Sequence, residues 1–206
     1  MKKLMIFFLS AFCLILPRSS WCTPGDNPAP ESPTTTIALP KPDLSGGKPL
    51  MEALKLRKST RSFSNKPVSE NDLSNLLWAA WGINRPETGR HTAPTSQNKQ
   101  NVQVYAALEN GVWLYDPDAH SLKLMLATDT RAKFGGSPVT LLFAAEDGYY
   151  ASGMHVGSLY QNAGLYCASA GLGNVVKRNG INALDGLLKL PEGYRIFIVQ
   201  SVGWPL

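Results

Sequence analysis

Three cations crowd one hydroxyl in the stretch LKLRKSTRSF, residues 54–63, where Arg57, Lys58 and Arg61 flank Ser59. Two guanidiniums and a hydroxyl at alternate positions can clasp a phosphate from both sides, because each guanidinium offers paired N–H donors in a fixed fork. Taken alone, the pattern reads first as a solvated basic helix end, and other segments must change that weight. Other chemistry-bearing side chains are scarce. His91, His120 and His155 share no ligand spacing, so no metal site is expected. His155 reads as a satisfied packing histidine. Cys167 sits in an apolar stretch without a cationic neighbour and reads as an inert thiol. There is no G-x-S-x-G elbow and no P-loop, and GLGNV has no strand before it that would make it a dinucleotide fingerprint. No catalytic side chain is assigned, so such a domain takes its chemistry from a cofactor.

The ends of the chain bound the class. Lys2 and Lys3 precede an apolar run from Leu4 to Leu16 that breaks at Pro17, the layout of a secretory signal peptide over residues 1–22. Thirteen helical residues reach only about 20 Å, against about 30 Å of hydrocarbon, so no permanent membrane span is expected. Trp21 directly before Cys22 argues against lipidation at that cysteine. The expected location is exported, periplasmic or otherwise extracytoplasmic. Setting aside Lys2, Lys3 and Arg18 leaves 20 − 3 = 17 basic residues against 15 acidic ones, which gives no reason to expect nucleic-acid binding. With Cys13 and Cys22 also in the leader, Cys167 has no partner for an intrachain disulfide. Residues 23–48 are proline-rich and poor in large apolar side chains, which predicts a tether or a draped arm. Residues 49–206 are enough for one domain with a real core.

The elements that must position the clasp follow from pattern. Leu50, Ala53 and Leu54 after Pro49 predict a first helix ending at the basic cluster. Ser69 with Asp72 resembles a capping box, and Leu73, Leu76, Leu77, Ala80 and Trp81 form one stripe closed by Gly82. VQVYAAL and VWLYD flank Glu109, Asn110 and Gly111, a strong hairpin signal. Val139–Ala145 reads as a buried strand. Residues 151–170 mix small residues with Leu159, Tyr160 and Leu165, which predicts a helix packed closely on every side. Residues 182–190 are expected to make a short helix, and RIFIVQSVGWP to close the fold as a strand. The class is α+β, a layered sheet with helices.

RKSTR resembles the R-x-S-x-R phosphate clasp of the nitroreductase family of flavoproteins. SENDLSNLLWAAWGIN is similar to the helix that follows it there, and TAPTSQNKQNVQVY to the P-[ST]-S-x-N-x-Q segment that leads into a strand. LYQNAGLYCASAGLGNV resembles the long central helix and its Gly-Leu-Gly exit, and VGWP the closing G-[YW]-P. The matches run in family order from about Pro49 to Leu206. LLWAAWG and GVWLYDPDAHSLKLM look most like the branch that includes peptide-azoline dehydrogenases, and only Thr128–Pro138 separates hairpin from strand where other members carry a longer helical insertion.

The resemblance implies FMN held at the interface of a homodimer, with the long central helix at that interface and residues from both chains around the cofactor. Arg57, Ser59 and Arg61 would hold the phosphate, with Lys58 beside them. Ser96, Asn98 and Gln100 would address the ribityl chain and pyrimidine edge, where an amide both donates and accepts. The loop Val176, Lys177, Arg178, Asn179 and Gly180 would bring backbone N–H groups to flavin N5 and O4. The basic pair that many members carry beyond G-[YW]-P is not found before Leu206, which implies either a looser phosphate site or a substitute such as Lys99. A ping-pong oxidoreductase is implied, with NAD(P)H or the substrate itself as donor and a small aromatic or azoline-like molecule as redox partner. An exported, non-catalytic flavin-binding or electron-storage module and a phosphate-binding protein without flavin are the competing readings.

Overall fold

The computed structural model describes residues 35–206. The expected leader and the arm up to residue 34 lie outside the described residues. Strand β1 (Thr36–Ala38) is followed by helices α1 (Leu50–Leu56) and α2 (Glu70–Trp81), and strands β2 (Ile83–Arg85) and β3 (Arg90–His91) pair as a separate ribbon. Strands β4 (Val102–Leu108), β5 (Gly111–Asp116), β6 (Ser121–Leu126) and β7 (Val139–Glu146) lead into helix α3 (Ser152–Ala170), and β8 (Gly173–Lys177) and β9 (Tyr194–Gly203) close the chain. The main sheet has seven strands in the order β1-β6-β5-β4-β7-β9-β8, with every neighbouring pair antiparallel. The α+β expectation is met.

Alternation along the strands explains why the sheet is buried on both faces. Val139, Leu141, Phe143 and Ala145 of β7 point into one core with α2 and α3, while Leu142 and Ala144 point into a second. A strand covered on both sides is apolar at nearly every position, which is why VTLLFAA reads as one run, broken only by Thr140, whose hydroxyl pairs with Ser137 Oγ at 3.0 Å. Phe134, Leu184 and Leu188 cap the second face. The helix expected over 182–190 is instead a chain of turns, because Gly186 takes φ 74° and interrupts it, although Leu184 and Leu188 stay buried.

Local signals set the other elements. Ser69 caps α2 by accepting from Asp72 N–H at 3.0 Å, and Gly82 closes it on Trp78 O. The hairpin turns on Glu109 and Asn110, with Leu108 facing Gly111. Residues 35–48 run as a draped arm. β1 extends the sheet beside β6, Asp43 N–H donates to Asn75 Oδ1 at 2.8 Å on α2, and Ser169 Oγ donates to Lys48 O at 3.0 Å near the end of α3. Contrary to the expectation of close packing all round, α3 leaves a stripe open in the single chain, with Gly153 and Met154 exposed.

Candidate functional site

α1 ends where its apolar spacing ends. Arg57 N–H closes the last turn on Ala53 O at 2.9 Å, and the chain then leaves the helix. Ser59 forms a parallel bridge to Asn174 at the start of β8, and Thr60 N–H donates to Asn174 O at 2.7 Å. On the other side Ser64 N–H donates to Trp204 O at 2.9 Å, and Phe63 bridges to Pro205. The basic segment is thus pinned between the edge strand and the closing VGWP. Residue 173 must be small, since a Cβ there would stand 2.7 Å from Thr60 Cγ2. Arg57, Lys58, Ser59 and Arg61 are all exposed. None of the ion pairs among the described residues includes the three cations, so no carboxylate neutralises them and their donors face solvent.

The second polar set is held under strain. Ser96–Asn98 form a 3₁₀ turn, and Gln97 (φ 54°), Asn98 (φ 53°) and Gln100 (φ 51°) are all left-handed. Such backbone costs on the order of 1–3 kcal/mol per residue and persists only where its surroundings fix it. Here Gln100 N–H donates to Thr95 Oγ1 at 3.1 Å, and Gln100 Nε2 donates to Gly89 O at 3.0 Å and Asn98 Oδ1 at 3.2 Å. Ser96 Oγ and Tyr150 OH share a hydrogen bond of 2.7 Å, which lowers the tyrosine's pKa.

His155 anchors the same loop. It is buried early in α3, accepts from Ser96 N–H at Nε2 (2.7 Å) and pairs through Nδ1 with Asn101 Oδ1 (2.9 Å). The packing role expected of it is met, but the positioning of Ser96 was not foreseen, since its partners lie more than fifty residues back in the chain. Accepting at Nε2 requires the neutral ring, and burial lowers the pKa from its ordinary value. The folded chain therefore resists protonation that the unfolded chain accepts. Stability is full above about pH 6.5 and declines as pH falls through that value toward the depressed one. The melting temperature is expected to drop between about pH 7.5 and 5, and to drop less in His155→Gln, whose amide can both accept and donate. Differential scanning fluorimetry across that range checks it, and equal drops would contradict the role.

The third expected set divides. Val176 and Lys177 are not in a loop but in β8, paired with Gln200 and Val199, because the run after the Gly-Leu-Gly exit finds β9 as a neighbour. Arg178, Asn179 and Gly180 form the bend and turn beyond it. Lys177 is half-buried, donates through Nζ to Phe134 O at 2.5 Å, and has its pKa lowered by burial, so it is no solvated loop charge. Arg178 is exposed.

Along the strand direction the third set lies between the other two, with Lys177 level with Val199 and Leu142, and the first and second sets lie at opposite ends. Asn174 is level with Val202 and Val139, whereas β4 begins at Val102 opposite Ala145, at the other end of β7. The span 139–145 at the usual strand rise covers about 20 Å. The same separation runs along α3, where the amide loop meets His155 and the basic segment lies near Ala168 and Leu172. Lys99 lies with the amide loop, its Nζ 5.8 Å from the Tyr149 ring centre, and is equally remote from Arg57 in the same chain.

A cavity of about 430 Å³ opens beside the amide loop, lined by Trp81, Arg85, Arg90, His91, Asn98 and Gln100 among others. The rings of Trp81 and His91 stack at 3.8 Å. A larger cleft of about 850 Å³ around Glu70, Glu109, Asp129 and Arg131 contains none of the expected site residues. Among the described residues no cluster of ligating side chains could hold a metal, and no helix is long and apolar enough to cross a membrane.

Residues 54–204 match the family model described as the nitroreductase family. The chain is similar to a protein of Ralstonia eutropha assigned as a nitroreductase, with 38% identity, 83% of this chain and 90% of that one covered, and a TM-score of 0.77. A nitroreductase with bound FMN from Bacteroides fragilis shares the fold at 16% identity and a TM-score of 0.56, covering 77% of this chain and 89% of that one. The E. coli microcin synthetase McbBCD complex with truncated pro-MccB17 bound does so at 18% identity and a TM-score of 0.56, covering 81% and 77%.

Proposed function

We propose, from the premise that this chain belongs to the nitroreductase family, that it is an FMN-dependent oxidoreductase whose cofactor lies between two copies of the chain. The residues fit FMN in their chemistry. Arg57, Lys58 and Arg61 are exposed and enter no ion pair among the described residues, which suits a phosphate, and Ser96, Asn98 and Gln100 carry donors and acceptors suited to a ribityl chain and a pyrimidine edge.

The observation that carries the two-copy reading is the separation of these sets by about 20 Å within one chain, at opposite ends of α3. Two copies related by a two-fold axis across the middle of α3 lay their helices antiparallel, which brings the second copy's amide loop beside the first copy's basic segment. The open stripe of α3 and the exposed Leu50, Met51 and Leu54 of α1 are apolar surface such a homodimer would cover.

FMN supplies two-electron redox chemistry when bound. The chain's own part is to hold and orient: Arg57, Ser59 and Arg61 grip the phosphate, with Lys58 adding charge. Ser96, Asn98 and Gln100 fix the ring edge, and Lys177, Arg178 and the backbone at Asn179 and Gly180 add positive potential at the end of β8. No side chain is assigned as a proton donor or base. Donor and acceptor take turns in one place, a ping-pong exchange. The place near the peptide-azoline branch, with a small aromatic or azoline-like redox partner, rests on the resemblance of LLWAAWG and GVWLYDPDAHSLKLM, and the shared fold with the microcin synthetase complex is consistent with it. The leader, if it exports the chain, favours a donor other than NAD(P)H in the cell.

The test is the absorption spectrum of the purified protein followed by a donor screen. A flavin spectrum that NAD(P)H or an azoline substrate bleaches, and that a nitroarene, quinone or oxygen restores, supports the oxidoreductase. A yellow protein bleached by dithionite alone supports a storage module. A colourless protein that FMN does not stabilise contradicts the reading.

A further inference from the structure

The cavity beside the amide loop has a cationic wall that the cofactor reading does not use. Arg85 and Arg90 sit on the two strands of the β2–β3 ribbon and both line it. Arg85 is held in place, Nη2 donating to His91 O at 2.8 Å and Nε to Asn84 Oδ1 at 3.1 Å, which leaves further N–H donors of its five unused. Arg90 is exposed, and neither arginine enters any of the ion pairs among the described residues. Two guanidiniums beside one cavity repel each other, and without a carboxylate of the protein's own the arrangement favours an anionic guest. The remaining walls include Ala93, Pro94 and the edge of the Trp81–His91 stack, a small apolar patch beside the charge that a ring can lie against.

Two further observations set this cavity apart from an ordinary surface dent. Its rim carries the left-handed Gln97, Asn98 and Gln100, strain that clusters where a ligand is handled. The ribbon is also locked to that rim, since Gln100 Nε2 donates to Gly89 O at 3.0 Å between the two arginines in sequence. The ribbon that carries the two arginines is therefore tied directly to the amide rim. About 430 Å³ suits a single-ring molecule and is small for a folded peptide segment.

We infer that this cavity binds a small aromatic carboxylate, its carboxylate on Arg85 and Arg90 and its ring against the Trp81–His91 wall. The carboxylate's use as the redox partner rests on the flavin reading above, whereas its binding does not.

The experiment is isothermal titration calorimetry of the full chain with benzoate and with benzamide, its neutral isostere, alongside the flavin content of each sample. Benzoate is expected to bind at least tenfold more tightly than benzamide. Arg85→Gln with Arg90→Gln should abolish the preference while flavin content stays the same. Arg90→Gln alone touches no bond that holds the ribbon, so it is expected to weaken benzoate severalfold with an unchanged melting temperature. Equal binding of the two probes, or a preference that survives in the double variant, would overturn the inference. The two readings fail separately: a colourless protein that still prefers benzoate retains the pocket and loses the flavin, and a yellow protein with no preference does the reverse.

Discussion

Arg57→Ala combined with Arg61→Ala should leave a folded protein without flavin. Each guanidinium is expected to give charge-assisted hydrogen bonds to a phosphate worth roughly 1.5–3 kcal/mol, so losing both weakens FMN by roughly a hundredfold or more. The fold should tolerate the change, because both side chains are exposed and neither takes part in an ion pair among the described residues. The backbone contacts that place the segment, from Thr60 to Asn174 and from Ser64 to Trp204, do not involve those side chains. Flavin content after gel filtration, with the melting temperature of the flavin-free protein as control, reads the result. Unchanged flavin retention would remove the phosphate assignment.

The second large effect is expected from Gly157→Glu. Gly157 lies on the open stripe of α3, and the nearest atom to an added Cβ is Tyr160 OH at 3.8 Å, so the single chain accommodates a side chain there. In a dimer packed through α3 the same position puts an unpaired charge into the buried interface, which costs several kcal/mol per ion. Subunits and flavin should therefore be lost together, a change from dimer to monomer in sedimentation matched by a colourless protein. A monomer that keeps its FMN would contradict the shared site, even with the phosphate assignment intact.

The elements legible in the chain are those with local causes. α1 follows from the spacing of Leu50, Ala53 and Leu54, α2 from the Ser69 cap and its apolar stripe, and the β4–β5 turn from Asn110 and its neighbours. β1 was not legible, because three exposed residues in a proline-rich stretch become a strand only when the edge of β6 is there to pair with. β8 was hidden for the same reason, its partner β9 lying beyond a long run of turns. The reverse error, a helix expected over 182–190, came from apolar spacing that serves a sheet face instead, with Gly186 left-handed in the middle.

The candidate site shows the same division. Its residue types could be read from short motifs, since the basic segment and the amide loop each carry their chemistry within five residues. Their separation along α3 is tertiary. So is the anchoring of Ser96 by His155, a bond across fifty-nine residues that no local pattern announces. The arginine pair on the β2–β3 ribbon meets the amide loop through an equally tertiary bond, from Gln100 Nε2 to Gly89 O.

Mixed dimers test the central claim most directly. One chain carries Arg57→Ala and Arg61→Ala, the other carries Ser96→Ala, Asn98→Ala and Gln100→Ala, and the two are co-expressed with different affinity tags so that only heterodimers are recovered. If each FMN lies between the basic segment of one copy and the amide loop of the other, the heterodimer holds one intact site and one doubly broken one, and purifies with one flavin per dimer while both parent homodimers are colourless. If each chain builds its whole site alone, neither site in the heterodimer is intact, and a colourless heterodimer would contradict the account.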